Sequence, residues 1–236
     1  IRFHTSKQFK KNQKIIKFDK KKNQYLLISI FSNLILKRDF LKHFNNEAYN
    51  LHPGILPQYP GKNCVSGVLY NNEKFTGVSL HMMTKKIDQG PIIKKLKVRI
   101  KRDDNLLKLM GKLKSVGVEL INKFEKDLYF KKKIKIIKNN YNLKTKFPKK
   151  IPNNGLVDSL TKFREFKKLF NASYLGQYKS SWGKCFFIYN KKKKYITNIE
   201  KEHLKNKLIH KNFVKKVSKN KFILKFEKKL ITVFTK

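Results

Sequence analysis

Asn50-Leu51-His52-Pro53-Gly54-Ile55-Leu56-Pro57-Gln58-Tyr59-Pro60-Gly61 is the stretch on which the reading of this chain turns. Its three prolines and two glycines exclude a helix and a central strand, so 45–61 reads as an ordered loop. The loop follows a strand-to-loop transition at Ala48-Tyr49-Asn50-Leu51-His52. Residues two apart in an extended chain point to the same side. The carboxamide of Asn50 and the imidazole of His52 can therefore face one ligand.

Upstream, 25–31 (YLLISIF) is a short apolar run that reads as a buried strand. Phe40, Leu41 and Phe44 share one face of a short helix over 37–44. Downstream, 62–71 suits a short helix, and 75–83 alternates as a strand with Val78, Leu80 and Met82 on one face. A second loop at 84–91 precedes a strand at Ile92–Ile100. The clearest helix is 103–129, where Leu106, Leu109, Met110, Leu113, Val116, Leu120, Ile121, Phe124 and Leu128 recur at three and four. Asp103 or Asp104 suits its cap. This alternation is α/β, and open α/β sheets hold ligands at the carboxyl ends of their strands. The Lys-rich stretch 131–150 reads as a strand-like piece and then a linker. A second unit follows, with a helix near 158–170 and short strands near 184–189, 194–198, 211–217, 221–225 and 229–234. The division is thus a core over 1–150 and a small α+β appendage over 151–236.

The chain has 236 residues, 58 basic against 15 acidic, for a net charge of +43. Such an excess suggests a nucleic-acid binder. Yet 53 of the basic residues are Lys and five are Arg, whereas phosphate and base readers lean on Arg forks. Lys, Asn, Ile and Phe rise together, the pattern of AT-rich codon usage. No apolar run reaches the roughly 18–20 residues of a membrane span. Cys64 and Cys185 make neither a disulfide framework nor a metal knot. A cytoplasmic setting fits these cysteines and the lack of a visible signal peptide. The chain opens on Ile1, and further sequence is expected upstream.

Few side chains here do acid–base work. His4, His203 and His210 lie among lysines and read as solvated; His43 sits on the short helix, and His81 by itself reads as structural. Cys64 reads as structural too, Trp182 as core rather than a stacking platform, and Lys191–Lys194 as a solvated turn or strand edge. Asp88, before Gly90-Pro91, can orient His52 or raise its pKa. Asn donates to a developing oxyanion, His moves protons and Asp tunes the His. The spacing alone also fits a loop histidine and a surface aspartate.

The literal residues go further. Asn50 to Gly61 closely resembles the N-(I/L)-H-P-(S/G)-x-L-P-x-Y-x-G signature of the folate-dependent formyltransferases. The run Glu73-Lys74-Phe75-Thr76-Gly77-Val78-Ser79-Leu80-His81 resembles that family's E-x-x-x-G-V-(T/S)-(L/V)-H strand. Ile87-Asp88-Gln89-Gly90-Pro91-Ile92-Ile93 resembles its (I/L)-D-x-G-x-(I/V)-(I/L) loop. The resemblance covers roughly 25–130. It implies a Rossmann-like core, 10-formyltetrahydrofolate as donor, an amine as acceptor and no metal. It implies Asn50, His52 and Asp88 as catalytic residues converging at one cleft at the carboxyl ends of the sheet. Asn50 and protonated His52 would hold the oxyanion, and Asp88 would keep His52 basic. Leu34, Ile35 and Leu36, with the Asp88 loop, would form the folate pocket. As polar loop residues, His52 and Asp88 should be replaceable at little cost in stability.

The family carries more βα units ahead of this strand, often with a Gly-rich phosphate loop, where this chain has the Lys-rich residues 1–24. The core is therefore expected to be N-terminally incomplete. An appendage fits the sugar-nucleotide and methionyl-tRNA branches alike; the tRNA branch usually has Arg after the Leu-Pro pair, where this chain has Gln58-Tyr59-Pro60, so an amino sugar on a nucleotide is the expected acceptor. Methionyl-tRNA and glycinamide ribonucleotide are the alternatives, the latter favoured by the Tyr-Pro-Gly wording. A catalytically dead, basic nucleic-acid binder built on the same core is the rival class.

Overall fold

The computed structural model describes residues 25–204, 213–226 and 229–235. By their contacts they form two units. The first takes the described part of Ile1–Cys64 with Phe75–Arg99 and Lys112–Lys146. The second takes Val65–Lys74, Ile100–Gly111 and the described part of Phe147–Lys236.

Four strands make one mixed sheet in the first unit: β1 (Leu27–Ile30), β2 (Ala48–His52), β3 (Phe75–Met82) and β4 (Ile92–Arg99), in that order. β1 and β2 are parallel, so a crossover must join them. It is the one-turn helix α1 (Arg38–Leu41) and a 3-10 turn (Lys42–Phe44), which bury Phe40 against Phe44, rings 5.3 Å apart. β3 is antiparallel to both its neighbours. Two further helices complete the expected alternation along the chain: α2 (Cys64–Tyr70), which belongs to the second unit from Val65 on, and α3 (Leu106–Tyr129), which belongs to the first unit from Lys112 on.

The sheet has two unlike faces. Pairing sets Leu51 opposite Leu80 and Tyr49 opposite Met82. This face meets α3, where Tyr49 touches Phe124 edge-on at 4.9 Å and Gly117 leaves room for Leu51. Leu51, Val78 and Leu80 are completely buried, each contributing about 1.5–3 kcal/mol. The register sets Asn50 opposite His81 and His52 opposite Ser79, so these four side chains share the other face.

Four local expectations change. β1 is half-exposed, with Ile30 54% accessible, because it pairs with β2 alone among the described residues. The cap of α3 is Asn105, whose Oδ1 accepts from the Lys108 N–H; Asp104 accepts from the Lys101 N–H, and Asp103 pairs with the Lys108 ammonium. Residues 131–146, expected within the core as a strand-like piece and then a linker, are tied to β4 where Ile137 bridges Ile92 through two 2.8 Å hydrogen bonds. The helix expected near 158–170 is α4 (Phe163–Ser173). Asp158 instead closes a turn, its Oδ1 accepting from the N–H groups of Leu160 and Thr161.

In the second unit, β5 (Phe186–Tyr189), β6 (Lys192–Leu204), β7 (Val214–Ser218), β8 (Lys221–Phe226) and β9 (Lys229–Thr235) form an antiparallel sheet ordered β5-β6-β9-β8-β7. α4 stacks Phe166 on Phe226 at 4.9 Å. Asn190-Lys191 makes the β5–β6 hairpin turn with both φ positive, at 48° and 58°, which matches strand twist. Trp182 is buried, donating its indole N–H to the Pro148 carbonyl beside Tyr70. His4 and His210, and the side chain of His203, lie outside the described residues. Among the described residues no helix is long and apolar enough to cross a membrane.

Two glycines make a paired test of this packing. A methyl at Gly77 would fall 1.9 Å from the Leu96 carbonyl oxygen, whereas at Gly111, inside α3, the space is open. Gly77→Ala should lose roughly 3 kcal/mol by forcing β3 from β4. Gly111→Ala should gain about 0.5–1 kcal/mol from helix propensity. Thermal melts of the two variants should move in opposite directions; equal shifts would contradict the β3–β4 packing.

Candidate active site

The site grows from the end of β2. Past His52 the chain must turn sharply, and Ser79 of β3 holds the turn: its buried hydroxyl donates to the Gly54 carbonyl and accepts from the Leu56 N–H. Gly54 is small for a reason. A Cβ there would lie 2.9 Å from His52 Nε2 and 3.0 Å from the Tyr59 carbonyl oxygen. That absence lets His52 Nε2 reach the Tyr59 oxygen at 2.6 Å. A carbonyl only accepts, so Nε2 carries the proton and Nδ1 is the nitrogen turned to Asp88. Cys64 Sγ lies 3.4 Å from the Pro53 carbonyl oxygen, a packing role.

Asp88 arrives from the connection between β3 and β4. Because β3 runs antiparallel to β2, this connection starts beside the beginning of β2, where the Met83 N–H donates to the Ala48 carbonyl. It folds back across the sheet face to reach His52. The site thus gathers the carboxyl end of β2, through Asn50 and His52, and the carboxyl end of the antiparallel β3, through His81, with Asp88 from the connection that follows β3. Asp88 Oδ2 accepts from the Gly61 N–H at 2.7 Å and lies 3.4 Å from His52 Nδ1. Gly61 turns its N–H inward at φ 82°, a conformation that favours glycine. Asp88 Oδ1 lies 3.3 Å from His81 Nε2 and 3.4 Å from Asn50 Nδ2.

His81 belongs to this cluster, against the reading of it as a structural residue alone. Its Nδ1–H donates to the Met82 carbonyl, and its Nε2 lies 3.1 Å from Asn50 Nδ2. Ser79 and His81 both stand in the strand motif, but their roles follow only from the strand register, which sets them opposite His52 and Asn50 and which no local spacing contains. Asn50, His52, His81 and Asp88 line one side of a cavity of about 280 Å³. Leu34, Ile35 and Leu36 line it too, with Phe31 and Leu41.

Burial governs the charges. It pushes the His52 pKa below its ordinary 6.5; the Asp88 carboxylate and the Tyr59 carbonyl pull it up, His81 pushes it down, and burial prevails. Asp88 therefore does not hold His52 above its ordinary range as the sequence reading expected. Burial alone would raise the Asp88 carboxyl. The His81 imidazole 3.3 Å away, the charge of His52 and the Gly61 N–H outweigh it, taking the pKa from 3.8 to about 2. His52 is 4% and Asp88 8% accessible, so deleting either strands buried partners at about 1–3 kcal/mol. That corrects the expectation of cheap replacement.

Both shifts destabilise the fold in acid. Unfolded, His52 takes up its proton near 6.5, while folded it resists to lower pH, so stability falls as pH drops below 6.5. Asp88 adds a loss of about 2 kcal/mol as pH falls from 3.8 toward about 2. His52→Gln should flatten the first loss and shrink the second, because the His52 charge is one of the groups that lower the Asp88 pKa. Urea unfolding at stepped pH measures both, and a wild-type profile flat from pH 7 to 5 would contradict the buried His52.

Comparison with known proteins joins this geometry to a family. The formyl transferase family model matches residues 3–124, just over half of the chain. The chain is 35% identical over 147 residues to the bifunctional polymyxin resistance protein ArnA of Wigglesworthia glossinidia brevipalpis; the match takes 62% of this chain and spans 22% of that protein's length. Its fold is similar to a Helicobacter canadensis N-formyltransferase solved with folinic acid and dTDP-3-aminofucose, with TM-score 0.63, 22% identity, and 89% of this chain and 73% of that one covered. It is also similar to Aquifex aeolicus HypX in complex with tetrahydrofolic acid, with TM-score 0.70, 15% identity, and 88% and 35% covered. A family model over half the chain, on a sheet that gathers the signature residues, makes this chain a member of the formyl transferase family.

Proposed function

We propose that this chain moves a formyl group from 10-formyltetrahydrofolate to a primary amine, and that the amine belongs to an amino sugar carried on a nucleotide. The observation that carries the reading is the meeting of Asn50, His52 and Asp88 beside the cavity that 34–36 line. That cavity suits the donor's head. It pairs an apolar wall with a buried polar cluster, and about 280 Å³ is near the lower bound of ligand sites, enough for a flat bicyclic ring. Leu34, Ile35 and Leu36 would hold the ring, and the donor supplies the formyl carbon that the amine attacks.

The protein's part is proton handling and charge. His52, neutral and bare at Nδ1, takes the proton that the amine sheds. Asp88 lies 3.4 Å from that nitrogen and offsets the imidazolium so formed. His52 later returns the proton to the leaving nitrogen. Asn50 Nδ2 gives up its long 3.4 Å contact to Asp88 to donate to the carbonyl oxygen as it turns negative. The sugar acceptor is supported by the dTDP-3-aminofucose solved with the Helicobacter canadensis enzyme and by WlaRD, a sugar 3N-formyl transferase of similar fold, TM-score 0.63.

The test is release of tetrahydrofolate from 10-formyltetrahydrofolate with a panel of amines: nucleotide-linked amino sugars, glycinamide ribonucleotide and methionyl-tRNA. An amino-sugar nucleotide should give the highest kcat/KM. His52→Asn and Asp88→Asn should each lower kcat by roughly 10²–10³-fold. Preference for methionyl-tRNA would overturn the acceptor, and wild-type rates in either variant would overturn the site.

A further inference from the structure

The loop that presents Asp88 must be held against its own backbone preference. Asp88 sits at φ 53°, in the left-handed region that L residues seldom occupy. The carboxylate meets His52 and Gly61, and the peptide carbonyls of Asp88 and Gly90 are left to other partners. On one side the loop is pressed against the end of β3. A Cβ at Gly90 would fall 1.9 Å from the Met82 carbonyl oxygen, and the Met82 N–H donates to the Pro91 carbonyl.

The other side is closed by Asn139, which comes from the stretch that the sequence presents as a linker. The Ile92–Ile137 bridge is antiparallel, so residue 139 falls opposite residue 90. There Asn139 Nδ2 donates to the Asp88 carbonyl at 2.9 Å and the Gly90 carbonyl at 3.0 Å. Both partners are carbonyl oxygens, so the amide's nitrogen, not its oxygen, must face them. The two hydrogens of one NH₂ group thus span the carbonyls on either side of Gln89. Asn139 Oδ1 is buried and meets no hydrogen-bond partner among the described residues. Its neighbours Lys138 and Asn140 are exposed. An asparagine turned inward from an exposed stretch, with its oxygen unpaired, is held there for its N–H fork.

We propose that Asn139 is a positioning residue that clamps the Asp88 loop and so sets the distance between the Asp88 carboxylate and His52. Its importance to turnover rests on the formyl-transfer reading; its effect on His52 does not. Asn139 does not touch His52, and it reaches the cavity lining only through the backbone carbonyl of Asp88. The ionisable groups facing His52 are Asp88 and His81, and Lys62, Lys85 and Lys86 line the same cavity.

The experiment follows the His52 imidazole by NMR across pH, with no folate present, in wild type, Asn139→Leu, Asp88→Asn and the double variant. Asn139→Leu keeps the side chain's size and removes the fork. The His52 midpoint should fall toward that of Asp88→Asn, and Asn139→Leu should add nothing in the Asp88→Asn background. A wild-type midpoint in folded Asn139→Leu, or the same shift in both backgrounds, would overturn the clamp. Asn139→Ser keeps one donor and should fall between; failure of both variants to fold would make the residue a stability element and overturn the proposal too. In the turnover assay, Asn139→Leu should lower kcat by roughly 10²-fold, as a misplaced catalytic group does. A protein without formyl transfer would leave the titration result standing and remove only the kinetic arm.

Discussion

A buried carboxylate has to be satisfied from every side, and the first unit is arranged around that demand. Asp88 takes an N–H from the signature loop at Gly61, faces an imidazole of β2 at His52 and another of β3 at His81, and has the Asn50 amide within reach. Each partner comes from a different place in the chain. Moving any of them leaves part of a buried charge uncompensated, at a cost of about 1–3 kcal/mol. The glycines of the signature serve the same demand, Gly54 by making room for the His52 ring and Gly61 by turning its N–H inward.

The sheet supplies the rigidity. One face of β2 and β3 is apolar and packs on α3 through Tyr49, Leu51 and Phe124. The other face is polar and carries the cluster. Period-two alternation forces this division, because a side chain cannot change face without moving the whole strand by a residue. Asn50 and His52 are thereby fixed to the same burial that fixes Leu51 between them. The chemistry and the stability of the unit share one register.

What could be read beforehand follows from range. Asn50, His52 and the loop glycines are local, and their roles follow from strand geometry and proline content. The pairing of Asn50 with His81 depends on which strand lies beside β2 and in which direction, and composition does not carry that. The same limit hid the antiparallel course of β3, the hydroxyl of Ser79 and the inward turn of Asn139 from a stretch that looked like a linker. His52 was misjudged in charge because burial is a property of the fold: nothing in Leu51-His52-Pro53 announces 4% accessibility. β1 was misjudged in burial because an apolar run does not reveal how many strands flank it.

The most direct measurement is a crystal structure of the chain with 5-formyltetrahydrofolate, a stable analogue of the donor. The account predicts the ring system along Leu34, Ile35 and Leu36, with the formyl-bearing end directed to Asn50 and His52 and the Asp88 loop unmoved. Folate bound elsewhere, or bound in this cavity with its formyl end directed away from Asn50 and His52, would contradict it.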